Sequence, residues 1–92
     1  MKNGVQDGRN LPEKKFRAGA VTATVWKNTK EKSGSIYEFR TVSFERRYRD
    51  NKGEWQSTNS LRSNDLPKAV LVLNKAYEYL ALTEQENALE DI

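Results

Sequence analysis

Apolar and polar side chains alternate from Phe16 onward. In FRAGAVTATVW, Val21, Ala23 and Val25 fall on one side of an extended chain and Thr22, Thr24 and Trp26 on the other. That period of two predicts a half-buried strand from Phe16 to Trp26. The next segment, KNTKEKSGS, is polar and carries a glycine, so Lys27 to Ser35 is expected to be a connecting loop. Alternation resumes from about Ile36 to Tyr48, with Val42 and Phe44 on one face and Thr41, Ser43, Glu45 and Arg47 on the other. Arg49-Asp50-Asn51-Lys52-Gly53 has the composition of a tight hairpin turn, in which glycine takes a positive φ. A third strand is expected from Glu54 to Arg62. Its parity sends Trp55 and Leu61 inward with Ser57 and Asn59, and Gln56, Thr58, Ser60 and Arg62 to the opposite face.

After Arg62 the period changes. Ser63-Asn64-Asp65-Leu66-Pro67 reads as a helix start: Asn64 or Asp65 caps free amides, and a proline fits the first turn, where N–H groups have no intrahelical partner. Leu66, Val70, Leu73, Tyr77 and Leu80 then recur at helical spacing as one apolar stripe, widened by Ala69, Val72, Ala76, Tyr79 and Leu82. The predicted fold is α+β: a small curved antiparallel sheet followed by one C-terminal helix. A helix this apolar needs more cover than one face of three strands offers, which predicts a homodimer with Leu66, Val70, Leu73, Tyr77 and Leu80 at its interface. Residues 1–13, with two glycines, a proline and few apolar side chains, are expected to form a flexible arm. Residues 14–82 make the folded domain, and the acidic segment 83–92 is expected to be a disordered tail.

Composition narrows the chemistry. Among the 92 residues there is no cysteine and no histidine, which removes disulfides, thiolate chemistry and the commonest general base and metal ligand. The expectation is a protein that is not an enzyme, with no cofactor, no metal and no small-molecule substrate. No apolar run approaches a membrane span, and the start Met1-Lys2-Asn3-Gly4 lacks the apolar stretch of a signal peptide, so no membrane partner and a cytoplasmic location are expected. The net charge of +3 hides a segregation. Residues 14–75 hold 14 lysines and arginines against six acids, whereas residues 76–92 hold five acids and no base. A basic body points to a polyanionic partner, and the acidic end to a segment that competes with it.

A basic sheet that also carries aromatics suits single strands, because unpaired bases offer flat faces for stacking while cations follow the phosphates. The helix, with only Lys68 and Lys75 as bases between residues 66 and 82, makes a poor groove reader for duplex DNA. RNA on the same sheet is the nearest alternative, separated only by the 2′-hydroxyl. A protein-interaction adaptor using the apolar helix is another.

The stretch VSFERRYRDNKGEWQSTNSLRSNDLPKAVLVLNKAYEYL resembles the positive cofactor four family of transcriptional coactivators, which bind single-stranded DNA. The likeness covers about 40 residues, with Phe16 to Lys27 matching the family's first strand more loosely. It rests on a strand ending in charged and aromatic residues, an acidic glycine-bearing turn, a short polar strand ending in Leu61, and a capped terminal helix. The resemblance implies a homodimer whose terminal helices pack together while the strands cradle unpaired DNA in transcription, replication or repair. It implies stacking roles for Trp26, at the end of the first strand, and Tyr48, before the turn. Tyr48 also shares the parity of Val42 and Phe44, so packing in the core is its second reading. The family's basic residue on strand two is Glu45 here, and its strand-three lysine is Asn59, which leaves the phosphate grip to other cations. The candidate nucleic-acid contacts are Arg17, Trp26, Lys27, Arg40, Arg46, Arg47, Tyr48 and Arg62.

Overall fold

The computed structural model describes residues 10–90, with side chains through residue 83. Four strands, β1 (Asn10–Ala18), β2 (Val21–Lys32), β3 (Ser35–Arg49) and β4 (Trp55–Thr58), form an antiparallel meander in the order β1-β2-β3-β4. A 3₁₀ turn at Ser63–Asp65 leads into the helix α1 (Leu66–Glu90). The α+β class and the single terminal helix agree with the sequence reading; the number and limits of the strands do not.

The expected first strand is two strands. Gly19 and Ala20 make a two-residue turn that sets Ala18 opposite Val21, and the φ of +61° at Gly19 is the positive value such hairpin turns require. The short apolar run conceals this turn because small residues lie on both sides of the glycine. The predicted loop Lys27–Ser35 is also mostly strand. β2 and β3 run on to Lys32 and Ser35, closed by Ser33 and Gly34 at φ +55° and +80°. Two successive positive φ values give the twist that a tight hairpin needs. Strand β1 starts inside the expected arm, at Asn10; the remainder of that arm, residues 1–9, lies outside the described residues.

At the other end, α1 continues to Glu90, so the tail expected from residue 83 is helical that far; its last two residues lie outside the described residues. Among the described residues no helix is long and apolar enough to cross a membrane.

The helix lies across β1 and β2. Val21, Ala23 and Val25 of β2 meet Ala69, Val72 and Ala76 of α1 in the buried core, with Phe16, Ala18, Leu61, Tyr79 and Leu80 packed around them. Small side chains on both layers let the helix approach closely. Leu80, expected at a dimer interface, therefore belongs to this internal packing, whereas Leu66, Val70, Leu73 and Tyr77 are 51%, 59%, 39% and 69% exposed. The apolar surface of the helix thus splits into two stripes, one on the sheet and one facing outward.

Two polar clusters lock the layers. A bulge between Pro12 and Lys14 inserts Glu13 into β1, and its carboxylate accepts hydrogen bonds from the Tyr79 hydroxyl of α1 and from Arg40 Nε of β3 at 2.8 Å. Asp65, 4% exposed, accepts Arg62 N–H at 2.8 Å and lies 3.3 Å from Arg46 Nε, while that same Arg46 nitrogen donates to the Ser60 carbonyl at 3.0 Å. The Asp65 carboxyl is held below the usual carboxylate range, foremost by its hydrogen bonds from Arg62.

A candidate nucleic-acid interface on the helix-free face

Strand register fixes which side chains share the face that the helix leaves open. Residues directly opposite in an antiparallel pair lie on the same face. Arg17 opposes Thr22, which opposes Glu45; Lys15 opposes Thr24, which opposes Ser43; Trp26 opposes Thr41. Further along β3, Arg47 opposes Ser57 and Arg49 opposes Trp55. Alternation therefore gathers Lys15, Arg17, Trp26, Arg47, Arg49 and Trp55 on the face away from α1. Toward the tip of the β2–β3 hairpin the same face carries Phe39 and Tyr37, 46% and 47% exposed.

The candidate residues divide between the two faces. Arg17, Trp26 and Arg47 stand together on the open one. Lys27, Arg40, Arg46 and Tyr48 have the opposite parity, shared with Val25, Val42 and Phe44. Lys27 pairs with Glu38 at 3.3 Å, Arg40 with Glu13 at 2.8 Å and Arg46 with Asp65 at 3.3 Å. The Arg46 guanidinium also lies 5.5 Å from the Tyr48 ring, so these two side chains attend to each other. Arg62, beyond β4, joins Asp65 at 3.2 Å. Five of the eight cluster around structural partners on the helix side or next to the helix start.

Trp55 reverses its expected direction: it is 55% exposed and on the open face. The cause is the turn before it. Asp50 Oδ1 accepts the N–H groups of Lys52 and Glu54, both at 2.9 Å, Asp50 N–H donates to the Glu54 carbonyl at 2.9 Å, and Gly53 has φ +81°. These bonds lower the Asp50 carboxyl below its ordinary value, the Glu54 amide foremost. They also fix Arg49 opposite Trp55 and so give both the same face. β4 then ends at Thr58, where the Asn59 side-chain amide donates to the Phe44 carbonyl at 2.8 Å and Thr58 Oγ1 accepts Ser60 N–H at 3.1 Å. The chain turns there, which is how Leu61 still reaches the core although Trp55 does not.

Between β1 and β4 the open face sinks into a groove of about 500 Å³ around Trp26, with Lys15, Ser43, Glu45, Ser57 and Asn59 in its walls. Trp26 Nε1 donates to Ser43 Oγ at 2.9 Å, which anchors the edge of the indole. Anchored in this way, the ring is a preset platform with hydroxyl, amide and carboxylate groups beside it. Arg49 and Trp55 stand in the sequence among the basic and aromatic hairpin flanks that suit a single strand, but Trp55 is expected to face inward and Lys15 does not stand out. The signal that places all three is cross-strand register, which depends on the three turns.

No family model, curated protein or solved structure matches the chain.

Proposed function

We propose that this chain is a homodimeric single-stranded DNA-binding protein of the positive cofactor four type, without marked sequence selectivity, acting in transcription, replication or repair. The observation that carries the reading is the company of Trp26: an anchored indole on a helix-free sheet face, in a groove, with Lys15, Arg17 and Arg47 on the same face. Stacking on such a platform contributes roughly 1 to 3 kcal/mol per base, and the cations add a salt-dependent grip on phosphates. A duplex offers its charge but hides its base faces.

The dimer half of the reading is supported by the outward stripe Leu66, Val70, Leu73 and Tyr77, apolar and exposed in the single chain. Val42 and Tyr48, 38% and 37% exposed, add apolar side chains on the side of β3 that α1 shares. A second copy meeting this surface with its own leaves both open sheet faces free for a strand.

The deciding experiment is a salt-series titration of the wild-type chain against a labelled single strand, the matching duplex and the matching RNA. The single strand is expected to bind more tightly than the duplex at every salt concentration. Trp26→Ala is expected to weaken it by about 1 to 3 kcal/mol with the salt slope nearly kept. Equal affinity for single strand and duplex, or a folded Trp26→Ala protein that binds unchanged, would overturn the proposal. A clear preference for RNA would reassign the ligand on the same face.

A further inference from the structure

The turn between β1 and β2 leans on β3, where Arg47 N–H donates to the Ala20 carbonyl at 3.0 Å. Against that hydrogen bond lies a second hollow of about 440 Å³, walled by Arg17, Gly19, Ala20, Arg47 and Trp55. Among the described residues no carboxylate lines it. The Arg47 and Arg49 guanidiniums sit 5.2 Å and 5.1 Å from the Trp55 ring, which is still 55% exposed. One cation over an indole is enough to steady a short edge strand. Here two arginines lie against one exposed ring and a third, Arg17, lines the hollow beside it, with no acid among the described lining residues to offset their mutual repulsion, an arrangement completed by an anion attached to a flat apolar group.

We propose that this corner is a second nucleotide subsite, in which an unpaired base stacks on Trp55 and its flanking phosphates are held by Arg17 and Arg47. The inference rests on the single-strand reading of the open face and adds a position to it. Trp26 stands opposite Thr41 and Trp55 opposite Arg49, eight positions apart on β3. At roughly 3.4 Å per residue the two indoles are about 27 Å apart along the strand. A nucleic acid that reaches both gains from the second station as an intramolecular event, so affinity rises steeply once the strand is long enough to bridge them. Glu45 and Arg47 lie between the two stations on β3.

The test uses two labelled oligothymidylates, one too short to bridge about 27 Å and one well beyond it, with wild type, Trp55→Leu, Trp55→Phe and Trp26→Ala. Trp55→Leu keeps apolar bulk and removes the π-face. It is expected to weaken the long strand about 5- to 100-fold with the salt slope preserved, and to change the short one little. Trp55→Phe is expected to retain most of the affinity. Arg17→Ala is expected to lower the salt slope by about 0.7 for each phosphate that the arginine neutralises. Wild-type affinity for the long strand in Trp55→Leu, with Trp26→Ala weakened, would overturn the second subsite and leave the single-strand reading standing. Wild-type protein that shows no preference for single strands would overturn both. Should Trp55→Leu melt early, the wild-type chain decides after irradiation with an iodouracil-substituted oligothymidylate: a crosslink mapped to Trp55 supports the subsite, and crosslinks at Trp26 alone overturn it.

Discussion

The Tyr79 hydroxyl donates to the Glu13 carboxylate, so the helix is tied to the bulge of an edge strand. Glu13 also takes the Arg40 guanidinium at 2.8 Å, which makes one carboxylate the meeting point of β1, β3 and α1.

That junction makes stability depend on pH at both ends of the scale. The Glu13 carboxyl is lowered from 4.5, foremost by the Tyr79 hydrogen bond and then by Arg40, and the Tyr79 hydroxyl is raised from 10.0, foremost by the same bond. The Glu13 contribution is complete above its unfolded value and disappears as pH falls through the lower folded one; the Tyr79 contribution is complete below its unfolded value and disappears as pH rises through the higher folded one. Tyr79→Phe is expected to cost about 0.5 to 1.5 kcal/mol near neutrality. Urea melts of the two proteins at several pH values should converge in acid and in alkali.

Neighbouring arginines are expected to behave oppositely. Arg46→Ala removes a partner of buried Asp65 and should lower the melting temperature, because its side chain is only 13% exposed and points to the helix side. Arg47→Ala, on the open face, should melt as wild type and lower the salt slope of single-strand binding by about 0.7 for each phosphate it no longer neutralises. Calorimetry and anisotropy on the two variants measure both effects.

At the first turn, Gly19→Ala is expected to destabilise the chain by about 1 to 2 kcal/mol, since φ is +61° and an added Cβ would lie 3.2 Å from Lys68 Nζ. The lysine end can swing aside; the backbone angle cannot change without opening the hairpin. A denaturant midpoint equal to wild type would contradict this.

Leu73→Asp places a charge in the outward stripe without touching the buried core. Sedimentation at micromolar concentration is expected to give an assembly of two chains for wild type and a 10.6 kDa species for the variant.

Face-by-face patterning in β2 and β3 was legible in the sequence because a buried layer enforces it. Val21, Ala23 and Val25 had to share a side for the core to exist, and Asp65 announced the helix start. The outer half of the β2–β3 hairpin was not legible: beyond the cover of α1 there is no core to demand apolar residues, so KNTKEKSGS looks like any polar loop although most of it is strand. The direction of Trp55 was hidden for a different reason. A period of two gives relative parity within one strand, but its absolute sense is set by the Asp50 turn and is lost again where β4 stops at Thr58. Arg46 and Arg47 are equivalent as residue types, and only the position of Asp65 on the helix side of the sheet separates the anchored guanidinium from the one on the open face.

The flanks of the sheet carry a last consequence. An exposed strand edge invites further strands, yet β1 has Pro12, which has no N–H to give, and Glu13 bulging beside it, with Lys14, Lys15 and Arg17 along the remainder. β4, at the other flank, is four residues long. Lateral growth is thus blocked along β1, and among the described residues pairing of one sheet with another is confined to the β3 edge from Ser35 to Glu45, which β4 leaves uncovered.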